Sequence, residues 1–201
     1  MTKKIAIIDY KVGNIKSIIN AVSLFGAQVI LTSNYNEIID SDAIILPGVG
    51  SYIHGMLNLK SLNLDSTIYE YVKTKKPVMG ICLGMQLLME ESEEFEKTKG
   101  LGLIEGQVRK ISSQKNLPLP HIGWEKVKFC NDSQFDNDYF FCHSYIAKPK
   151  CENNILAVSS YGVETICAAV KKDNIVGYQF HPEKSGHFGL QLIKQFIDLI
   201  E

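Results

Sequence analysis

The sequence predicts an α/β fold with a mainly parallel central sheet, helices on both faces and a smaller antiparallel β portion. In the first half of the chain, continuously apolar runs alternate with segments whose apolar residues recur every three to four positions. Such strands pair in parallel through right-handed crossovers, so helices cover both faces of the sheet. After Glu90 the apolar runs are shorter and are separated by Gly, Pro, Asn and Asp, which predicts mixed or antiparallel sheet.

The predicted elements follow from these patterns in chain order. In the first half they are strands at 4–8, 28–31, 43–46 and 78–81 and helices at 14–25, 66–75 and from Cys82 to Met89. An acidic run at 90–96 is predicted to be a solvated helix end and loop. In the second half they are strands at 107–111, 126–129, 139–142, 155–159, 166–170 and 175–180 and a terminal helix at 188–200.

Composition excludes several classes of protein. The 201 residues, 45% hydrophobic and 21% charged, fit a single globular domain over 1–201. A formal net charge of −1 offers no electrostatic basis for nucleic-acid or membrane-surface binding. No apolar run reaches the roughly 18 residues of a membrane span, and the N-terminus lacks a signal-peptide pattern, so we expect a cytoplasmic protein.

Cysteine and histidine spacing gives no indication of a metal. The five cysteines are odd in number and form no C-x-x-C pair, which argues against a disulfide framework and a zinc site. The five histidines are scattered, with no H-x-x-x-H or H-E-x-x-H pair. We therefore expect no metal.

The strongest chemical signal is Cys82, flanked by Gly80 and Gly84 where the fourth strand gives way to a helix. A sharp strand-to-helix turn leaves little room for a Cβ two residues before or after its central residue. A cysteine there also gains the N-terminus of a helix, which favours negative charge on sulfur. The alternative is a buried structural cysteine in a glycine-spaced packing turn.

Two further strand ends carry unusual residues. The third predicted strand runs into residues 47–50 (Pro-Gly-Val-Gly), whose N–H groups can point at a ligand, although a plain tight turn is the alternative. The last predicted strand ends near His181 and Glu183, two positions apart across Pro182. An imidazole that takes the proton of a thiol, and is itself oriented by a carboxylate, would make Cys82 a nucleophile for acyl transfer.

Together these motifs resemble class I, triad-type glutamine amidotransferases. The shared motifs are residues 47–50, 80–86 and 181–183. Finer details are similar to the glutaminase subunits of imidazole glycerol phosphate synthase; they are Asp9-Tyr10, Gly13-Asn14 and residues 120–124, 143–145 and 183–186. The resemblance covers nearly the whole chain and implies a flavodoxin-like class I glutamine amidotransferase fold without a cofactor.

The resemblance also implies roles for matching residues. Cys82 would attack the side-chain amide of glutamine, His181 would pass a proton to the leaving ammonia, and Glu183 would orient His181. The backbone N–H groups of an oxyanion hole would come from Val49, Gly50 and Leu83. Contacts to glutamine would come from Gly48, Gln86, Ser144 and Tyr145.

A partner is implied as well, because ammonia released into water would be protonated. The partner would be a (β/α)₈ cyclase, forming a heterodimer and converting a phosphorylated ribulosyl aminoimidazole carboxamide nucleotide into imidazole glycerol phosphate and AICAR. The residues expected at the partner interface or ammonia passage are Lys11, Asn14, His121, Trp124 and Lys184. Trp124, the only tryptophan, could instead fill the core.

Two residues depart from the family pattern. Lys11 stands where the family usually has glycine, and Cys142 stands where valine is common. Lys11 leaves room for a paralogous pair that supplies ammonia to make an amidino group on a surface sugar. A stand-alone cysteine hydrolase and a catalytically silent interaction subunit are the alternatives from other classes.

Overall fold

The chain folds around a nine-stranded sheet and a second, four-stranded sheet, within the residues that the computed structural model describes, 2–112 and 117–200. The helices of these ranges are α1 (Ile15–Ser23), α2 (Tyr35–Ile39), α3 (Tyr52–Ser61), α4 (Leu64–Lys73), α5 (Leu83–Leu87) and α6 (Gly186–Asp198). The strands are β1 (Lys4–Ile8), β2 (Gln28–Thr32), β3 (Ala43–Leu46), β4 (Val78–Ile81), β5 (Met89–Ser92), β6 (Thr98–Lys99), β7 (Ile104–Lys110), β8 (His121–Phe129), β9 (Asn137–His143), β10 (Tyr145–Pro149), β11 (Ile155–Tyr161), β12 (Glu164–Lys172) and β13 (Ile175–Tyr178).

Parallel pairing occupies one half of the large sheet. Its strand order is β2-β1-β3-β4-β13-β12-β11-β8-β9, with parallel pairs from β2 to β13 and antiparallel pairs from there to β9. The carboxyl ends of β1, β3, β4 and β13 consequently lie at one edge. Ligands bind at this edge in open α/β sheets.

Helices cover both faces of the parallel half, which explains its continuous apolar runs. On β1, Ile5 and Ile7 pack in a cluster that includes Ile18 of α1 and Phe196 of α6. The alternate residues of β1 face a second cluster formed with α2 to α5 and the four-stranded sheet. The predicted class, a mainly parallel sheet between helices with a smaller β portion, is confirmed.

Element bounds agree best where both faces of a strand are buried. The predicted strands at 43–46 and 78–81 coincide with β3 and β4, and both are buried throughout. The helix predicted to run from Cys82 to Met89 is too long, since α5 ends at Leu87 and Met89 begins β5. Pairing of β5 with β7 outweighs local helix propensity there.

The acidic run is only partly a loop. Glu90 and Glu91 belong to β5, which corrects the expectation of a solvated helix end. The strand predicted at 126–129 is too short, since β8 begins at His121. Its inward side chains are mostly not aliphatic, while its exposed ones include Ile122 and Trp124. Hydrophobic patterning does not detect a strand whose exposed face carries the large apolar residues.

Candidate active site

Cys82 lies at a strained turn between β4 and α5. Its backbone φ of 52° and ψ of −109° are unusual for a residue other than glycine, and its N–H donates to the Tyr178 carbonyl at 2.7 Å. The side chain is buried. A strained backbone at a strand-to-helix junction is the geometry of a nucleophile elbow, and the surrounding pairing with β13 holds it in place.

The glycines beside the elbow are required by close backbone approach. A Cβ on Gly84 would lie 1.8 Å from the carbonyl oxygen of Leu46 at the end of β3. A Cβ on Gly80 would lie 2.8 Å from the backbone nitrogen of Met85. The steric reason inferred from the spacing of these glycines is therefore confirmed.

Gly84→Ala is expected to destabilise the protein by about 2–3 kcal/mol, because a backbone carbonyl cannot move away as a flexible side chain can. Gly123→Ala is the matched control, since a Cβ there meets nothing within 4 Å. Urea unfolding of both variants measures the difference. Equal free energies of unfolding would show that the elbow is not packed against β3 as described.

The 47–50 loop packs directly on the elbow. A Cβ on Gly48 would lie 2.8 Å from Cβ of Leu83, and Gly50 adopts φ +114°, a conformation that suits glycine. Leu83 begins α5, so its N–H has no helical acceptor. Val49 is largely exposed and, with Gly50 and Leu83, borders the cavity over Cys82.

His181 and Glu183 form a buried pair just beyond β13. The imidazole Nδ1 lies 2.9 Å from Glu183 Oε1, and both side chains are at most 4% exposed. The His181 backbone N–H donates to the Phe140 carbonyl, and a 3₁₀ turn at Pro182–Lys184 follows. Because Glu183 engages Nδ1, Nε2 is the nitrogen left for the hydrogen bond with Cys82.

The His181 imidazole is protonated at neutral pH. Burial lowers its pKa, but hydrogen bonds and opposite charge from Cys82 and Glu183 outweigh burial and raise the pKa to about 10. An imidazolium beside the sulfur can donate a proton to a departing amine.

A cavity of about 400 Å³ opens above Cys82 and brings most of the predicted site residues together. The predicted residues that line it are Val49, Gly50, Cys82, Leu83, Gln86, Ser144 and Tyr145. Gly48 packs against Leu83 in its wall, and His181 is hydrogen-bonded to Cys82 without lining the cavity.

Gln86 makes two hydrogen bonds within the protein. Its amide Nε2 donates to the Tyr145 carbonyl at 2.8 Å and to Gln179 Oε1 at 3.0 Å, leaving its own oxygen as the group available to a ligand. Gln179, which sequence reasoning missed, also lies with Nε2 3.8 Å from the Cys82 sulfur. The only sequence signal for Gln179 is its position two residues before His181.

Sequence reasoning also missed Glu94, Phe95 and Lys110, which line the same cavity. The acidic run predicts that Glu94 is solvated, yet its carboxylate accepts from the Tyr52 N–H at 2.6 Å at the start of α3. That contact spans 42 residues, and Glu94 and Phe95 line the cavity together with Cys82. The cavity therefore carries one carboxylate and one ammonium group from this set.

Four of the predicted interface residues lie outside the cavity and are exposed: Lys11, Asn14, Trp124 and Lys184. Trp124 is 55% exposed, so the interpretation that it fills the core is wrong. Lys184 Nζ lies 5.7 Å from the centre of the Phe140 ring, and Trp124 packs edge-on against the same ring. These groups border the His181 side of the site.

His121 differs from the other four residues expected at the interface or ammonia passage, since its side chain is almost fully buried and does not reach the surface. A role in ammonia passage stays a prediction. The ring stacks between Phe141 and Tyr161 and lies 3.3 Å from His143 Nε2. His143 Nδ1 donates to the Tyr145 carbonyl at 2.9 Å, and burial lowers the pKa of His143 to about 3. The pair supports the segment that carries Ser144.

Residues 2–112 and 117–200 contain neither a candidate metal site nor a candidate membrane span. No group of three or more His, Cys, Asp or Glu side chains there is arranged to hold a metal ion. No helix there is long and apolar enough to cross a membrane.

A cysteine elbow backed by a His–Glu pair at the carboxyl edge of a parallel sheet is the arrangement of enzymes that act on acyl or amide groups through a thiol. The chain belongs to the class I glutamine amidotransferase family, whose model, "Glutamine amidotransferase class-I", matches residues 6–199.

Individual proteins and solved structures are similar over almost the full length. The chain is 45% identical to "Imidazole glycerol phosphate synthase subunit HisH" of Oceanobacillus iheyensis, covering 98% of this chain and 99% of that protein. It is 46% identical to the protein of that name from Methanocaldococcus jannaschii, covering 98% and 100%. A crystal structure of a glutamine amidotransferase superposes with a TM-score of 0.78 at 16% identity over 98% of each chain, and shows the shared fold.

Proposed function

We propose that this chain is the glutaminase subunit of imidazole glycerol phosphate synthase, which hydrolyses glutamine and passes ammonia to a cyclase. The observation that carries the proposal is the similarity over 98% of the chain, at 45% and 46% identity, to two proteins named as the HisH subunit of that enzyme. The Cys82, His181 and Glu183 constellation supplies the chemistry that such a subunit needs.

The reaction follows from the arrangement of Cys82, His181 and Glu183. The Cys82 thiolate attacks the side-chain carbonyl carbon of glutamine, and the carbonyl electrons move to oxygen. His181 donates its Nε2 proton to the departing nitrogen, so ammonia leaves and a thioester remains. Water, deprotonated by the neutral imidazole, then releases glutamate and returns the proton to the pair.

Backbone N–H groups stabilise the negative oxygen formed in that attack. We assign this role to Leu83, at the start of α5, and to Val49 and Gly50, which border the same cavity. A single donor of this kind contributes about 100- to 1000-fold to turnover. The close packing of Gly48 on Leu83 supports the assignment, because it holds both sets of donors beside one sulfur.

The charges in the cavity match a free amino acid. Glutamine carries an ammonium group and a carboxylate at one end and a neutral amide at the other. Glu94 and Lys110 supply opposite charges in the cavity, which Ser144 and Tyr145 also line. We assign Glu94 to the ammonium group, which selects free glutamine over a glutamine residue within a peptide.

Glu94→Gln is expected to raise KM for glutamine about 10- to 100-fold with little change in kcat, because a charge-assisted hydrogen bond is worth about 1.5–3 kcal/mol. The amide retains an oxygen that can accept from the Tyr52 N–H, so the loop keeps its anchor. Steady-state glutaminase kinetics provide the measurement. Glu93→Gln is the control, since Glu93 is exposed and does not line the cavity; equal KM values in the two variants would refute the assignment.

An exposed surface beside His181 fits a protein partner. Aromatic and aliphatic side chains, exposed or partly exposed, lie next to one cation there: Ile122, Trp124, Phe140 and Lys184. Tryptophan is enriched among residues that anchor protein interfaces. We propose that this surface, together with Lys11 and Asn14, binds the cyclase and that the assembled heterodimer is cytoplasmic.

The test combines the chain with a (β/α)₈ cyclase of the histidine pathway. We expect slow glutamine hydrolysis alone, faster hydrolysis in the complex, and glutamine-dependent formation of imidazole glycerol phosphate. Full hydrolysis without a partner would favour a stand-alone hydrolase. Hydrolysis stimulated only by an amidino-sugar enzyme would establish the paralogous function instead.

A further inference from the structure

Tyr10 connects the end of β1 to the 47–50 loop through a fully buried hydrogen bond. The phenol donates to the carbonyl oxygen of Pro47, the first residue of the loop. The Tyr10 side chain has no exposed surface. The bond spans 37 residues and joins two of the strand ends that border the site.

The phenol lies at the centre of the packing that supports the oxyanion donors. A Cβ on Gly48 would lie 2.6 Å from the Tyr10 hydroxyl oxygen and 2.8 Å from Leu83 Cβ. Burial, with the nearby charge of Cys82, raises the pKa of Tyr10 far above its usual range. The hydroxyl therefore keeps its proton and remains a donor to the loop.

The same residue is tied to the surface segment 11–14. Asn58 Nδ2 of α3 donates to the Tyr10 carbonyl at 3.0 Å. A Cβ on Gly13 would lie 3.6 Å from Pro47 Cβ and 3.7 Å from the Gly48 nitrogen, so the segment rests against the loop. Lys11, next to Tyr10, is exposed and adopts φ 67°. A contact at this surface is thus one residue from the buried phenol.

We propose that Tyr10 is a positioning residue for glutamine hydrolysis: it fixes the Pro47 carbonyl, confines movement of the loop to the Val49 and Gly50 peptides, and links segment 11–14 to the oxyanion donors. The inference rests on the proposed function and adds a residue to it. Tyr10 acts through the loop, since the phenol is buried beneath Gly48 and does not line the cavity.

The experiment compares Tyr10→Phe with Tyr71→Phe in the complex with the cyclase. Tyr71 is an equally buried tyrosine whose hydroxyl donates to a backbone carbonyl, that of Ser41, at 3.1 Å and away from the cavity. Each substitution removes a phenol donor from a backbone carbonyl. Because the Ser41 carbonyl also accepts from Lys76 Nζ at 2.9 Å, Tyr71→Phe should lose no more stability than Tyr10→Phe in urea unfolding.

For Tyr10→Phe we expect kcat for glutamine hydrolysis to fall about 10- to 100-fold with KM nearly unchanged, because displacement of an oxyanion donor acts in the transition state. Hydrogen exchange of the amides in 48–51 should accelerate in this variant alone. Tyr71→Phe should keep wild-type kcat, and synthesis fed with ammonium should be normal in both variants.

Equal kcat values in the two variants, or unchanged exchange in 48–51, would overturn the role of Tyr10. Should Tyr10→Phe fail to fold, Asn58→Ala decides the question, since it releases Tyr10 from α3 and should lower kcat in the same direction about threefold or more. Absence of glutamine hydrolysis in the wild-type complex would instead refute the proposed function.

Discussion

Cys82→Ala is expected to lower glutamine hydrolysis by at least about 10⁴-fold, because removal of the nucleophile from a catalytic triad leaves only binding and oxyanion stabilisation. The sulfur lies at the only position where the elbow, His181 and the cavity meet among the described residues. Ammonia release from glutamine, measured at saturating substrate in the presence of the cyclase, gives the loss in kcat.

Cys142→Ala is the matched control for that substitution. Cys142 lines the same cavity, and its carbonyl oxygen lies 3.8 Å from the Cys82 sulfur, but its side chain is exposed and has no imidazole partner in the described structure. We expect this variant to remain within about threefold of wild type. Comparable losses in both variants would place the nucleophile elsewhere or show that the cavity tolerates no change.

His181→Ala should cost nearly as much as loss of Cys82, since nucleophile and proton carrier act as a unit. Glu183→Gln should retain measurable activity, because it weakens orientation of the imidazole without removing the imidazole itself.

The rate of Cys82 alkylation by iodoacetamide near neutral pH reports the pairing of Cys82 with His181 directly. We expect the rate to fall in His181→Ala and to be unchanged in His187→Ala, an exposed histidine on α6.

The free energy of unfolding should depend on pH because the pKa of His181 is raised. A histidine whose folded pKa is about 10, against 6.5 unfolded, stabilises the folded state fully below pH 6.5 and loses that contribution as pH rises through 10. The stability difference between wild type and His181→Ala should therefore shrink from pH 7 to pH 10. Alkylation of the His181→Ala variant at the wild-type rate would contradict the pairing of His181 with Cys82.

The elbow and the parallel sheet could be predicted because their causes are local. Gly80, Cys82 and Gly84 stand at the end of a short apolar run, and the steric demand of the turn is visible in three residues. Likewise, strands buried on both faces read as uninterrupted apolar segments, so β3 and β4 could be bounded correctly.

Features that depend on long-range packing could not be predicted. The place of Glu94 depends on its bond to Tyr52, and an acidic run otherwise indicates a solvated surface. His121 is buried and Trp124 is exposed because of which face of β8 points inward. Hydrophobic patterning cannot identify that face when the buried face carries polar residues. The contact between Tyr10 and Pro47 joins two strand ends that only the sheet order brings together.

The most direct test of the central claim compares glutamine-fed with ammonium-fed synthesis by the reconstituted complex carrying Cys82→Ser. The account assigns Cys82 to the production of ammonia and gives it no part in cyclisation. We predict that product formation from glutamine disappears while formation from ammonium salts at alkaline pH stays at the wild-type rate. Loss of both activities to the same extent, or survival of the glutamine-fed reaction, would contradict the account.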